Sequence, residues 1–459
     1  MDEQLIKRLI DHLMSNGGDF ADVYVERSQS LGISLENKKI EKITRGERQG
    51  VGLRVLYGDK TYFAFSEDFN PRVLEELSIT LSRRQKADSV CVPESYALQE
   101  CQRDCRYKGE GGPGTLEEKI GFLRRMNEYG WKNGINLNQL TMSYGEAVKE
   151  ITLMNSKGVY VKEQRPRVKT ILQGIFSKDG VIQSAYDAMG ALGDYSFLQK
   201  RSPEEFAHQV LQKGEALLQA EPAPSGTMTV VISGEAGGTM VHEACGHGLE
   251  ADIVEKGMSV YGGRIGEQVA SPLITVVDDG TIPGRYGSGC FDDEGTPTRE
   301  NILIENGMLK GYMSDLISAR KLKLEPSGNG RREDYRSLPI TRMTNTYIAS
   351  GETAPDEIIS SVREGLLVKK MGGGQVNTAT GDFVFEVSEG YLIHDGRPGP
   401  QVRGATLIGN GPTVLRKIDA VGTDFGYSLG TCGKDGQGVP VADGQPTLRI
   451  PTLIVGGTR

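Results

Sequence analysis

The chain has 459 residues, 37% of them hydrophobic and 25% charged, with 53 basic and 61 acidic side chains for a net charge of −8. That length exceeds one ordinary core, so two or three domains are expected. An acidic chain without a long Lys/Arg run has no bulk attraction to phosphate, which argues against a nucleic-acid partner.

The N-terminal MDEQLIKRLIDHLMSNGG starts acidic and puts Leu5, Leu9 and Leu13 on one stripe beside Ile6 and Ile10. It reads as an amphipathic helix of the mature protein, not as a secretory leader. No apolar run is long enough to span a bilayer, so no membrane is expected and a cytoplasmic location is. The six cysteines, at 91, 101, 105, 245, 290 and 432, form no dense framework and are expected to be reduced thiols.

Alternating patterns follow in ADVYVERS, LGISLENKKIEKI and GVGLRVLYGDKTYFAF, which read as strands with turns at Glu36-Asn37-Lys38 and Tyr57-Gly58-Asp59. The polar stretch from about Lys86 to Gly114 reads as a connector, and its Cys91, Cys101 and Cys105 as exposed linker thiols. TLEEKIGFLRRMNEY is the next helix, followed by strands in GEAVKEITLMNS, GVYVKEQRPRVKTILQGIFS and VIQSAYDAM. PEEFAHQVLQKGEALLQA is a helix with Pro203 in its first turn, and EPAPSG marks a boundary. The expected fold class is α+β. Residues 1–221 form an N-terminal α+β domain of helices on antiparallel sheets, built from two α+β units over 1–90 and 115–221. Residues 222–459 form a β-rich C-terminal domain.

In that second part, TMTVVISG, PLITVVDDG, NILIENGMLKGYM, RMTNTYIAS, DFVFEVSEGYLIHDG, GATLIGNG and PTLRIPTLIVGG read as strands. LISARKLK and APDEIISSVREG read as helices. The tract MGGGQVNTATGDF (371–383) reads as a plain loop, with a flexible lid as the alternative.

VHEACGHGLE (241–250) is the segment with chemistry. Zinc proteases of the H-E-x-x-H type set two histidines four residues apart, about 40° around a helix. Here the spacing is five, about 140° in a regular α-helix, which cannot grip one ion. A π-bulge, with Gly246 and Gly248 flanking the second histidine, would bring the rings back together. Given a metal, the imidazoles of His242 and His247 suit zinc, and Glu243 suits proton transfer between an attacking water and the leaving amine. From the residues alone the third ligand stays open among Glu250, Asp252, Glu255, Cys290 and Cys432, with Cys245 expected to point away. Cys432 falls in SLGTCGKDGQG, read as a Gly-rich turn.

HEACGHGLEAD (242–252), DDEGTPT (292–298), RMTNTYI (342–348), LGTCGKDGQGVPVADGQPTL, ADVYVE and GVGLRV together resemble the TldD/PmbA family, on its TldD-type side. The resemblance covers nearly the whole chain. It implies a zinc-dependent peptidase with Zn2+ on His242, His247 and Cys432, and metal-activated water with Glu243 as general acid/base. It also implies unfolded polypeptides or small peptides as substrates, and a dimer with itself or with a TldE/PmbA-type partner subunit. RMTNTYI would lie along the cleft, with Thr344, Asn345 and Thr346 as substrate-contact candidates on a strand edge. Two alternatives remain. One is a non-catalytic binding or regulatory protein, akin to a gyrase modulator, whose structural metal site is completed by Cys245 or Asp252. The other is a thiol hydrolase using Cys432 or Cys245.

Overall fold

The structure, a computed structural model, describes residues 1–86, 96–100 and 104–458. Helix α1 (Glu3–Met14) buries Leu5, Ile6, Leu9, Ile10 and Leu13, the stripe its spacing predicts. Strands β1 (Phe20–Glu36), β2 (Lys39–Tyr57) and β3 (Lys60–Ser66) follow as antiparallel neighbours. Asn37 and Lys38 turn the first corner in the left-handed region, at φ 44° and 78°. Helix α2 (Pro71–Ser82) has no counterpart among the sequence expectations, although Asn70 caps it and Pro71 opens it, a recognisable start signal.

A short strand, β4 (Ala97–Gln99), pairs in parallel with Val159–Val161, so part of the expected connector belongs to the sheet. Helix α3 (Leu116–Asn133) starts with a capping box between Thr115 and Glu118. Strands β5 (Leu137–Asn155), β6 (Val159–Lys178) and β7 (Val181–Leu192) then precede helix α4 (Pro203–Gln219), capped by Ser202. The strands of both stretches lie in one seven-stranded sheet. β1 pairs with β5 from Asp22–Asn155 to Glu36–Thr141, and β7 extends β6 at an edge.

The second half carries two further principal sheets. Strands Glu364–Asn377, Gly226–Ile232, Leu448–Gly456, Ala405–Asn410 and Asp382–His394 pair in that order, and the last pairs back with the first, closing a ring. The tract 371–383 is therefore not a loop. It supplies the ends of two paired strands and their turn, because Phe385 and Val387 alternate inward and Gly381 (φ 81°) makes the corner. A six-stranded sheet ends in Asn345–Ile348, Gln437–Gln445 and Gly426–Lys434, in that order. One hydrophobic core joins ring, sheet and the histidine segment, and it includes Val241, Ala244, Cys245 and Cys432.

Buried ion pairs tie the two halves together. Arg54 on β2 bonds Asp22 at 2.6 Å and Glu294 at 2.7 Å, and Arg165 on β6 bonds Asp293 at 2.6 Å. The DDEGTPT motif thus lies against the N-terminal sheet. No helix among the described residues is long and apolar enough to cross a membrane.

Cys245 and Cys432 are free thiols, as expected, but two other cysteines depart from expectation. Cys290 is disulfide-bonded, and Cys105 is buried with its thiol directed at the Gly289 carbonyl. Cys91 and Cys101 lie outside the described residues.

Candidate metal centre and cleft

The histidine segment leaves the ring strand Gly226–Ile232 through a glycine-lined bend. A Cβ on Gly238 would lie 2.2 Å from the Gly444 nitrogen, so the helix start touches the strand Gln437–Gln445 directly. His242–Gly246 is then a single π-helical turn, closed by the His247 N–H on the His242 carbonyl five residues back. The extra residue is absorbed there, and the two rings face each other with centroids 4.9 Å apart. Tight packing fixes the turn. Added Cβ atoms on Gly246 and Gly411 would meet Met343 Sδ at 2.4 Å and the Ala244 carbonyl oxygen at 2.1 Å.

His242, His247 and Cys432 each offer a donor atom, and all three atoms lie within 4.8 Å of one another. Cys432 Sγ is 3.4 Å from His247 Nε2. Cys432 sits within the strand Gly426–Lys434 rather than in the turn expected for it, the turn coming at Asp435-Gly436. Arg342 donates to the Cys432 carbonyl and to that of Gln437 at 3.1 Å, holding this hairpin in place.

Each imidazole has a carboxylate on its far nitrogen. His242 Nδ1–H donates to Asp443 Oδ1 at 2.7 Å, and His247 Nδ1–H to Glu250 Oε2 at 2.9 Å. A carboxylate only accepts, so both Nδ1 atoms carry a hydrogen, and loss of the Nε2 protons frees both Nε2 atoms to bind an ion. Lys434 steadies Glu250 at 3.0 Å and Asp252 at 2.6 Å. Two imidazole nitrogens and a thiolate, with their outer atoms already hydrogen-bonded, are a donor set that fits Zn2+.

The electrostatics agree with that donor set. Burial alone would raise the Cys432 thiol, but hydrogen bonds from both histidines bring it down to about 5. Burial alone would lower His247, yet Glu250 and Cys432 raise it to about 9. Burial raises the Glu243 carboxyl, with the two histidines acting against it. A carboxyl held above its usual range is better suited to taking up and returning a proton.

The other ligand candidates are engaged elsewhere. Glu250 and Asp252 face Lys434, and Glu255 pairs with Lys321. Cys245 bonds the Val241 carbonyl, and burial pushes its thiol up to about 12. Among the described residues, no fourth His, Cys, Asp or Glu joins the cluster.

Thr344, Asn345 and Thr346 do not line an open edge. Their strand has neighbours on both sides, and they are 3%, 0% and 0% exposed. Thr344 and Thr346 instead satisfy the buried Asp278 at 2.7 and 2.8 Å, and Asn345 donates to Ser288 at 2.8 Å. RMTNTYI supports the site from beneath, through Arg342 and Met343. Nothing in the sequence marks Asp443, which lies 201 positions from His242 and joins no local motif.

A cleft of about 660 Å³ runs along His242, Glu243 and Cys432, walled by Ser184–Gly190 of β7 and by Tyr427–Cys432. A second opening, of about 450 Å³, reaches His247 from the side of Gln375–Thr378.

Three comparisons bear on this arrangement. Residues 21–83, 113–218 and 225–457 match domain 1, the central domain and the C-terminal domain of the PmbA/TldA metallopeptidases. A Haemophilus influenzae protein named Metalloprotease TldD homolog is 35% identical, over 99% of this chain and 96% of its own. A Saccharolobus solfataricus protein named Zinc metalloprotease TldD homolog is 26% identical, over 96% and 97%. Among solved structures, a Thermotoga maritima protein described as a candidate modulator of a DNA gyrase superposes with a TM-score of 0.81 at 23% identity, covering 99% and 100%. TldE from Thermococcus kodakarensis gives 0.75 at 20%, also covering 99% and 100%. With all three domain matches in order along a fold of this kind, the chain belongs to the PmbA/TldD metallopeptidase family, among its TldD homologues.

Proposed function

We propose that the chain is a zinc-dependent peptidase hydrolysing unfolded polypeptides or small peptides, with His242, His247 and Cys432 as metal ligands and Glu243 as general acid/base. The observation that carries this reading is the convergence of three donor atoms, two of them oriented by carboxylates, beside a half-buried glutamate on a cleft. A bound zinc ion supplies Lewis acidity that activates water and polarises a peptide carbonyl. Glu243 takes a proton from the attacking water and returns it to the departing amine. Asp443 and Glu250 keep the imidazoles aligned throughout.

Both β7 and the strand Gly426–Lys434 end their sheets, so each turns an unpaired edge toward the cleft. An extended peptide can pair with such edges by main-chain hydrogen bonds, which favours unfolded chains over folded ones. Assembly as a dimer, with itself or a TldE/PmbA-type partner, fits an aliphatic row of Val384, Ile408 and Ile454 in register on three adjacent strands, 49%, 38% and 51% exposed.

A binding role with a structural metal is the second reading, prompted by the descriptions of two solved relatives as candidate gyrase modulators. A structural site closes with four protein ligands, whereas the described residues supply three. Hydrolysis of an unfolded protein that is lost in Glu243→Gln, with zinc retained, is the deciding experiment. Equal turnover by the variant and the wild type would refute the assigned role.

A further inference from the structure

One end of the cleft carries positive charge that no carboxylate of the described residues offsets. Arg285 lines the cleft with its guanidinium 3.9 Å over the ring centre of Tyr427. Tyr427 is itself held by Phe425 and Tyr347, with ring centroids 4.7 and 6.1 Å away, so the cation rests on a fixed aromatic platform.

Lys200 stands at the same end. Its ammonium lies 4.0 Å from the ring centre of Tyr107 and 4.9 Å from that of Phe197, which lines the cleft. Gly284, next to Arg285, packs so closely on Tyr107 that a Cβ there would lie 3.1 Å from the tyrosine Cβ. Burial lowers the Lys200 ammonium, and the neighbouring Arg285 lowers it further. Arg285 is also lowered by burial.

Other buried arginines of this chain are satisfied within it, Arg167, Arg331 and Arg342 by backbone carbonyls and others by carboxylates. Arg54 and Arg165 each meet two carboxylates, and Arg332 meets Asp22. Even within the cleft, Asp187 has Lys213 at 3.9 Å. Two cations stacked on aromatic rings, one of them lowering the other, are at a disadvantage until an anion arrives. Stacking covers the face of a guanidinium and leaves its N–H edge free for the two oxygens of a carboxylate.

We infer that Arg285, with Lys200 behind it, is a specificity residue that binds a carboxylate of the peptide lying in the cleft. The carboxylate is either the α-carboxylate of the peptide C-terminus or an Asp/Glu side chain. This deepens the peptidase reading and rests on it for the nature of the ligand.

The test is equilibrium binding of short fluorescent peptides to the zinc-loaded, full-length Glu243→Gln protein, where binding is read without turnover. Three versions of one sequence are compared: a neutral amidated peptide, its free C-terminal acid, and an amidated version with one internal Glu. The expected result is that one acidic version binds about tenfold tighter than the neutral one. Adding Arg285→Gln removes that preference while the affinity for the neutral peptide stays, and Arg285→Lys keeps part of it. The acidic version preferred identifies the source of the carboxylate. No preference, a preference that survives Arg285→Gln, or no binding of any peptide would overturn the inference. Hydrolysis by the wild-type protein is assayed separately, so a failed peptidase reading registers as lost turnover and not as lost carboxylate preference.

Discussion

Asp443 Oδ1 accepts the His242 Nδ1–H at 2.7 Å, and this bond decides which nitrogen of the imidazole faces His247 and Cys432. Asp443→Asn keeps the size of the side chain but removes its charge, which weakens the donor strength of Nε2. Metal affinity should fall about 10- to 100-fold. Competition against a chromophoric chelator measures it, and unchanged affinity would count against the orienting role.

The π-turn is held by backbone contact with the helix Gly411–Lys417. Gly411→Ala drives a methyl into the Ala244 carbonyl, and backbone on both sides cannot yield as a side chain would. A loss of about 1–3 kcal/mol in stability is expected from such overpacking. Metal content should drop with it, because the same shift separates the two imidazoles. Denaturant melts and elemental analysis on one sample test both.

Metal uptake should depend on pH in one direction. In the metal-free protein His247 titrates at about 9 and His242 is also raised, burial being outweighed by Asp443, while Cys432 titrates at about 5. At neutral pH the ion must displace protons from the imidazoles and not from the thiolate, so affinity rises from pH 6 toward 9. The linkage for folding follows in sign. His247 is raised above its usual 6.5, so it stabilises the metal-free fold fully below that value and loses the contribution as pH climbs toward 9. His242 acts in the same direction and Cys432, lowered to about 5, acts against both, so urea midpoints of the chelated protein should show a net fall over that window, and those of the metal-loaded protein should lack this component.

Arg54 carries the largest predicted cost outside the site. It is fully buried between Asp22 and Glu294, and Arg54→Ala would leave Glu294 without its cation and Asp22 with only Arg332, 3.5 Å away. A destabilisation of about 3–5 kcal/mol is expected. Equilibrium unfolding by circular dichroism measures it, and a change below about 1 kcal/mol would mean that water or rearrangement neutralises the pair.

Much of the fold is written locally. The Leu5–Leu13 stripe, the Thr115–Glu118 capping box and the alternation in GVGLRV each fix an element without help from distant residues. Part of the site is local too, since a five-residue histidine spacing admits few backbones other than a π-turn that let the rings meet. Pairings across the chain are not legible in that way. Asp443 reaches His242, and Arg342 reaches the Cys432 carbonyl, only because parallel pairing sets Asn345–Ile348 beside Gln437–Gln445. The same pairing buries Thr344, Asn345 and Thr346, whose polar side chains read as a cleft surface when their partner Asp278 is unknown. The tract 371–383 reads as a loop from its glycines, yet its pairing with Asp382–His394 makes it strand.

The most direct test of the central claim is zinc per chain by elemental analysis, on the wild type beside His247→Ala and Cys432→Ser, after reconstitution in reducing buffer. About one zinc in the wild type and clear loss in both variants is the predicted result. Little zinc in the wild type, or undiminished zinc in either variant, would contradict the assignment of His242, His247 and Cys432 as one metal centre.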